Sequence, residues 1–143
     1  MTITGISAII YDNMGEPYYL IFRRASNWKG WEFLKGKIKD GETPESCVDR
    51  VFRQDAGISQ FKIVKRLEKT RKYKTPDGKE KELAIFLVEA NMNIPVRNYK
   101  SSKKHDSYIW AKSSEVMTKL TWENEKTLFR EIDAEIKKQE QDN

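Results

Sequence analysis

Apolar positions in this chain fall into short runs whose spacing alternates between strand-like and helix-like. ITGISAIIYD (3–12) and PYYLIFRR (17–24) are each apolar enough for a buried strand, and NMGE between them supplies turn residues, so an antiparallel pair is expected. ASNWKGWEFLKGKIKDGE (25–42) is rich in Gly and Lys and reads as a loop. Thr43, Pro44 and Glu45 then supply an N-cap, a first helical residue with fixed φ and an acid in the first turn. Val48, Val51, Phe52 and Asp55 recur at helical spacing until Gly57 ends the run, which predicts a helix over about 44–56.

Beyond that helix, FKIVKRLEKTRKYK and KELAIFLVEA flank Thr75-Pro76-Asp77-Gly78, whose proline and glycine suit a reverse turn. A long hairpin follows, its first strand basic and its second apolar. NMNIPVRNYKSSKKHD (91–106) reads as a polar loop, SYIWA (107–111) as a short strand and SSEVMTKL (113–120) as a short helix. In TWENEKTLFREIDAEIKKQ, Leu128, Phe129, Ile132 and Ile136 form one stripe, so an amphipathic helix is expected to pack back on the sheet.

With 143 residues the chain is the size of one ordinary domain, and a single domain over 1–143 is expected. Apolar residues (38%) and aromatics (11%) suffice for a core, which places the chain outside the disordered class. The lone Cys47 cannot form an internal disulfide, which fits a reducing cytoplasm. ITGISAIIY has no basic flank and is far shorter than the ~20 residues that cross a bilayer, so neither secretion nor membrane insertion is indicated.

Charge changes the picture more than composition does. Between Lys62 and Lys81, nine basic residues face only Glu68, Asp77 and Glu80, an excess larger than the net +5 of the whole chain. A patch this concentrated attracts anions such as nucleotides or RNA; a solvated strand surface is the plainer alternative.

Gly36, Glu42, Arg50, Phe52, Gly57 and Ile58 stand at the spacing of the Nudix box, which runs Gly, five residues, Glu, seven residues, Arg-Glu-aliphatic-x-Glu-Glu-x-Gly-aliphatic. The chain resembles the Nudix hydrolase superfamily on these residues, and is similar in its flanks to the dinucleoside-tetraphosphate hydrolase branch. Leu34-Lys35-Gly36 stands where that branch has Pro-Lys-Gly, and KKHDSYIWAKSSEVMTKLTWENEKTLFREI matches its C-terminal part. The resemblance implies an α/β (α+β) Nudix fold, a mixed β-sheet sandwiched between helices with a loop–helix–loop box at about 36–58. It also implies Mg²⁺ or Mn²⁺ as cofactor if the chain is active, because divalent ions neutralise a pyrophosphate bridge and activate water. Glu42 and Arg50 would brace the loop against the helix.

The chain departs from the box where its metal ligands would be. The family's first glutamate is Val51, the next is Gln54, and only Asp55 keeps a charge, which makes it the single metal candidate. The acid that precedes the histidine in the related hydrolases is Lys104, and a loop position often acidic there is Lys39. A cluster of roughly −4 thus becomes near-neutral or positive, which favours anions over cations.

Three functions follow as expectations. In the first, the chain binds nucleotide or RNA phosphates in the former substrate cleft with little or no hydrolysis. Lys35, Lys37, Lys39 and Lys104 contact phosphates, Arg71 and Lys72 extend the patch, Tyr73 stacks on a base, and His105 is a further candidate contact. In the second, it is a Mg²⁺-dependent hydrolase of dinucleoside polyphosphates or other nucleoside diphosphate derivatives, using Asp55 and one of Glu32, Glu45 or Asp49. In the third, the fold serves as a structural or protein-interaction module.

Overall fold

The computed structural model describes residues 2–26, 28–97 and 103–141. Seven strands form one mixed sheet: β1 (Gly5–Met14), β2 (Glu16–Arg24), β3 (Gly30–Glu32), β4 (Leu34–Lys37), β5 (Lys62–Lys74), β6 (Glu80–Glu89) and β7 (His105–Ala111). Its main path runs β3-β2-β1-β6-β5, with β4 added to β1 and β7 to β2. The β1–β6 pair is parallel and the others are antiparallel.

The hairpin of β1 and β2 pairs only near its turn, from Met14↔Glu16 to Ile10↔Leu20. Beyond that point the strands part and a short ribbon fills the gap. β3 pairs with the end of β2 (Phe22↔Glu32), and β4 pairs with the start of β1 (Ile6↔Gly36). The segment expected as a loop over 25–42 therefore contains two short strands. Their apolar content is only Trp31, Phe33 and Leu34, too few to register as a strand pattern among glycines and lysines.

Alternation along the strands divides the core between the two faces. Ile6, Ala8 and Ile10 of β1 point to one face with Phe22, Phe86, Val48, Val51 and Phe52. Ile9 and Tyr11 point to the other with Tyr19, Ile85, Val116, Phe129, Ile132 and Ile136. The first face is covered by α1 (Pro44–Arg50), the second by α2 (Ser113–Lys119) and α3 (Glu123–Gln141). The result is the expected mixed sheet between helices, α/β/α in layers.

α1 begins as its sequence requires. The Thr43 hydroxyl accepts from the Ser46 amide and the Ser46 hydroxyl accepts from the Thr43 amide, a reciprocal cap ahead of Pro44. The helix stays α-helical only to Arg50; Val51–Asp55 continue as a π-helical turn, so the run predicted over 44–56 changes its winding midway. Gly57, at φ +64°, ends it: a Cβ there would lie 2.5 Å from the Arg97 carbonyl oxygen. The polar loop expected over 91–106 lies partly outside the described residues, at 98–102, and His105 already belongs to β7.

Candidate functional site

The open ends of the split sheet surround a pocket of about 860 Å³. Its wall is cationic. Arg71 is buried, Arg24, Lys35, Lys81 and Lys104 are half-buried, and Lys37 and Lys74 are exposed at the mouth. Trp28, Tyr73 and Trp122 supply aromatic surface, and no carboxylate among the described residues lines the wall. Trp28 and Trp122 meet edge to face with ring centroids 5.1 Å apart. Lys35 Nζ stands 5.4 Å from the Tyr73 centroid and 5.9 Å from that of Trp28, so this lysine is framed by rings.

Carboxylates do lie beneath this wall. Glu32 is fully buried, and its Oε2 accepts from His105 Nε2 at 2.7 Å and from Arg24 Nη1 at 3.3 Å. Lys35 Nζ stands 3.0 Å from Oε1 as an ion pair outside hydrogen-bonding angles. An ionised carboxylate only accepts, so the proton of that short contact belongs to His105 Nε2. Burial alone would raise the pKa of Glu32, but the His105 hydrogen bond and the charges of Lys35, His105 and Arg24 outweigh it and hold the carboxyl at about 2.

Glu125, in the first turn of α3, is 2% exposed and much more loosely held. Its Oε2 accepts from Arg71 Nη1 at 3.3 Å and from the Phe33 amide at 3.4 Å; its Oε1 has no partner, and neither does Arg71 Nε. Burial pushes this carboxyl up to about 7, opposed by Arg71 and helped by the negative charge of Glu32.

The box forms the neighbouring corner. Arg50 Nε donates to Glu42 Oε2 at 2.6 Å and its Nη2 donates to Glu42 Oε1 at 3.1 Å, while Nη2 also reaches the Lys37 carbonyl at 2.7 Å. Glu42 Oε1 in turn accepts from the Lys39 amide at 2.7 Å. These bonds tie α1 to the loop after β4, and they hold the Glu42 carboxyl below its usual range.

A family model of the NUDIX domain matches residues 1–132 of this chain. The chain belongs to the NUDIX family. An RNA pyrophosphohydrolase of Sulfurovum sp. (strain NBC37-1) is 26% identical over 133 residues, covering 83% of this chain and 82% of that relative. Among solved structures, a C. elegans Ap4A hydrolase binary complex superposes with a TM-score of 0.78 at 19% identity, over 94% of this chain and 98% of that one. A NUDIX hydrolase from Listeria monocytogenes str. 4b F2365 does so with a TM-score of 0.80 at 14% identity, over 97% of each chain. These two establish the likeness of fold.

Set against this NUDIX frame, the sequence candidates separate. Lys35, Lys37, Arg71, Tyr73 and Lys104 come together on the pocket wall. Lys39 is exposed in the box loop, and Lys72 points to a shallower groove between β5 and α3. His105 is buried under the wall, not exposed in a loop, and its ring is committed to Glu32. Lys74 and Lys81, from the basic run over 62–81, also line the wall, as do Arg24, Trp28, Trp122 and Asn124, which the sequence did not single out.

The donor set for a divalent ion is sparse at the box. Val51 is fully buried in the core, Gln54 is exposed, and Asp55 is half-buried. The three carboxylates that could have joined Asp55 are engaged elsewhere: Glu32 with Arg24, Lys35 and His105, Glu45 with Arg66 at 3.5 Å, and Asp49 with Arg53 at 3.0 Å. Among the described residues no three of His, Cys, Asp and Glu are grouped to hold a metal. A hard cation of the Mg²⁺ type needs several oxygen ligands. These residues do not fit it.

The basic strand is also less free than its charge suggests. Lys65 pairs with Glu135 and Lys69 with Glu131, both on α3, and Arg66 pairs with Glu45. Lys74 and Lys81, at the tip of the β5–β6 hairpin, border the pocket. No helix among the described residues is long and apolar enough to cross a membrane.

Proposed function

We propose that this NUDIX domain holds the phosphate chain of a nucleotide or of an RNA 5′ end in the pocket, and hydrolyses it feebly or not at all. The observation that carries this reading is the pairing of a cationic wall, carboxylate-free among the described residues, with a box in which Asp55 is the one acid left at the positions of the family's helix glutamates. Lys35, Lys37, Arg71 and Lys104 would receive the phosphates, helped by Arg24. Tyr73, Trp28 and Trp122 would offer π faces to a base. The relatives' names, RNA pyrophosphohydrolase and Ap4A hydrolase, point to the same broad class of ligand.

Hydrolysis dependent on Mg²⁺ or Mn²⁺ is the second reading, favoured by the RNA pyrophosphohydrolase relative and by the retained Asp55. One experiment separates the two. The protein is incubated with diadenosine tetraphosphate and with 5′-triphosphorylated RNA, with Mg²⁺, with Mn²⁺ and with chelator. Salt-sensitive binding without turnover, weakened by Lys35→Ala and Lys104→Ala, supports the first reading. Metal-dependent turnover at ~1 s⁻¹ or faster would overturn it.

A further inference from the structure

Two carboxylates lie under the pocket wall, and they differ in how firmly they are held. Glu32 on β3 is gripped by His105 of β7, Arg24 of β2 and Lys35 of β4, with one contact as short as 2.7 Å. Glu125 on α3 has only the Arg71 guanidinium of β5 and the amide of Phe33, between β3 and β4, both beyond 3.2 Å, with one oxygen unpartnered. Glu32 and Lys35 act on it through space, the first as a like charge and the second as an opposite one. Arg71 and Lys35 are also wall residues, so the cations that offset Glu125 are those a bound anion would engage.

We propose that Glu125 is a proton-linked positioning residue, taking up a proton when an oligophosphate enters the pocket and Arg71 turns its charge to the ligand. This rests on the reading that the pocket holds a phosphorylated ligand. A carboxylate buried to 2% exposure cannot remain ionised once its one guanidinium is shared with another anion and a second carboxylate lies nearby. Protonation removes the repulsion, and Arg71 is then free to serve the phosphate. Glu32 keeps its three partners and stays ionised, so the uptake is confined to one group. The position of Glu125 near 7 before binding means that the linked proton is drawn at neutral and mildly alkaline pH.

The expected effect is an affinity that falls by up to tenfold per pH unit above about 7, the limit for one linked proton. Diadenosine tetraphosphate is the probe, because it has no terminal phosphate to titrate in this range. Calorimetry at pH 7.5 in two buffers of different ionisation heat counts the protons taken up. Uptake of up to about three-quarters of a proton is expected for the native protein and for His105→Asn, and none for Glu125→Gln, which still binds. As a measurement that needs no variant, the ¹³C-carboxyl resonance of Glu125 in the native protein should titrate at higher pH with the ligand than without. Binding with no proton uptake, uptake that survives in Glu125→Gln, or a Glu125 resonance unmoved by ligand would overturn this inference while leaving the binding reading intact. Absence of any binding would overturn the binding reading, and this one with it.

Discussion

The side chain of Val51 fills the space beside Gly36: a Cβ added to the glycine would lie 2.4 Å from Val51 Cγ2. Both residues belong to the box, one a glycine that the family shares and the other a departure from it. The contact turns a position expected near a metal into part of the core. Gly36→Ala should therefore overpack the β4–helix junction and cost about 1–3 kcal/mol, since Val51 is fully buried and β-branched. Val51→Ala in the same chain should recover a good part of that loss. Urea unfolding of the two single variants and the double variant measures the coupling, and additive losses would show that the contact is not the cause.

Val51→Glu follows from the same packing. Restoring the family's glutamate would place a carboxylate among Ile6, Leu34, Val48 and Phe52, where an unpaired charge is strongly disfavoured. The variant should be destabilised by several kcal/mol, consistent with the cost of a buried charge, and millimolar Mg²⁺ should not restore its melting temperature. A melting temperature that climbs back with Mg²⁺ would mean that the new carboxylate reaches a cation site after all.

What the sequence made legible was the frame. Strand alternation, the Thr43-Pro44 helix start, the Thr75–Gly78 turn and the Phe129-Ile132-Ile136 stripe all declare themselves locally, because each depends on near neighbours in the chain. The site was less legible because its members are brought together by the split between β1 and β2, which no local pattern encodes. Glu125 is instructive. An acid in an amphipathic helix reads as solvent-facing, yet it lies four residues before Phe129 and seven before Ile132, on the stripe that turns inward. His105 likewise looked like a loop residue beside lysines, and only the pairing of β7 with β2 buries it against Glu32. The π-helical turn at Val51–Asp55 has no signature in its residues.

The Glu42–Arg50 brace makes a local prediction. Glu42 receives the Lys39 amide as well as the guanidinium, so it orders the loop between β4 and α1. Glu42→Gln should weaken both bonds and raise the hydrogen-exchange rate of the Lys39 amide, with that of the Ile85 amide in the central sheet unchanged. Equal protection of Lys39 in both proteins would show that the loop is held by other contacts.

The aromatic wall predicts a separation between base and phosphate recognition. Trp122 is 41% exposed at the pocket, an exposure that core packing does not account for, and Trp28 and Tyr73 stand with it. Trp122→Ala and Tyr73→Ala should each weaken binding of diadenosine tetraphosphate by about 5- to 150-fold, the range for a lost base stack of ~1–3 kcal/mol. Inorganic tetraphosphate, which has no base, should bind these variants as it binds the native chain. Fluorescence titration with both ligands tests this, and equal losses for the two would assign the rings to shaping the pocket.

The two buried carboxylates predict a stability profile with limbs of opposite sign. Glu32 is held at about 2, below an ordinary value of 4.5, so its ionised form is favoured by the fold. Its contribution, on the order of 3 kcal/mol, is present above pH ~4.5 and lost as the pH falls toward 2. Glu125 is raised to about 7, so the fold favours its neutral form. That contribution, also on the order of 3 kcal/mol, is complete below pH ~4.5 and lost as the pH rises through 7. Taken together, these groups make the protein most stable near pH 4.5. In urea unfolding across pH 3–8, Glu125→Gln should flatten the limb between 4.5 and 7 and leave the acid limb, whereas Glu32→Gln should flatten the acid limb. A native-like slope between pH 4.5 and 7 in Glu125→Gln would show that Glu125 is already ionised throughout that range, and would remove the physical basis for proton uptake at the pocket.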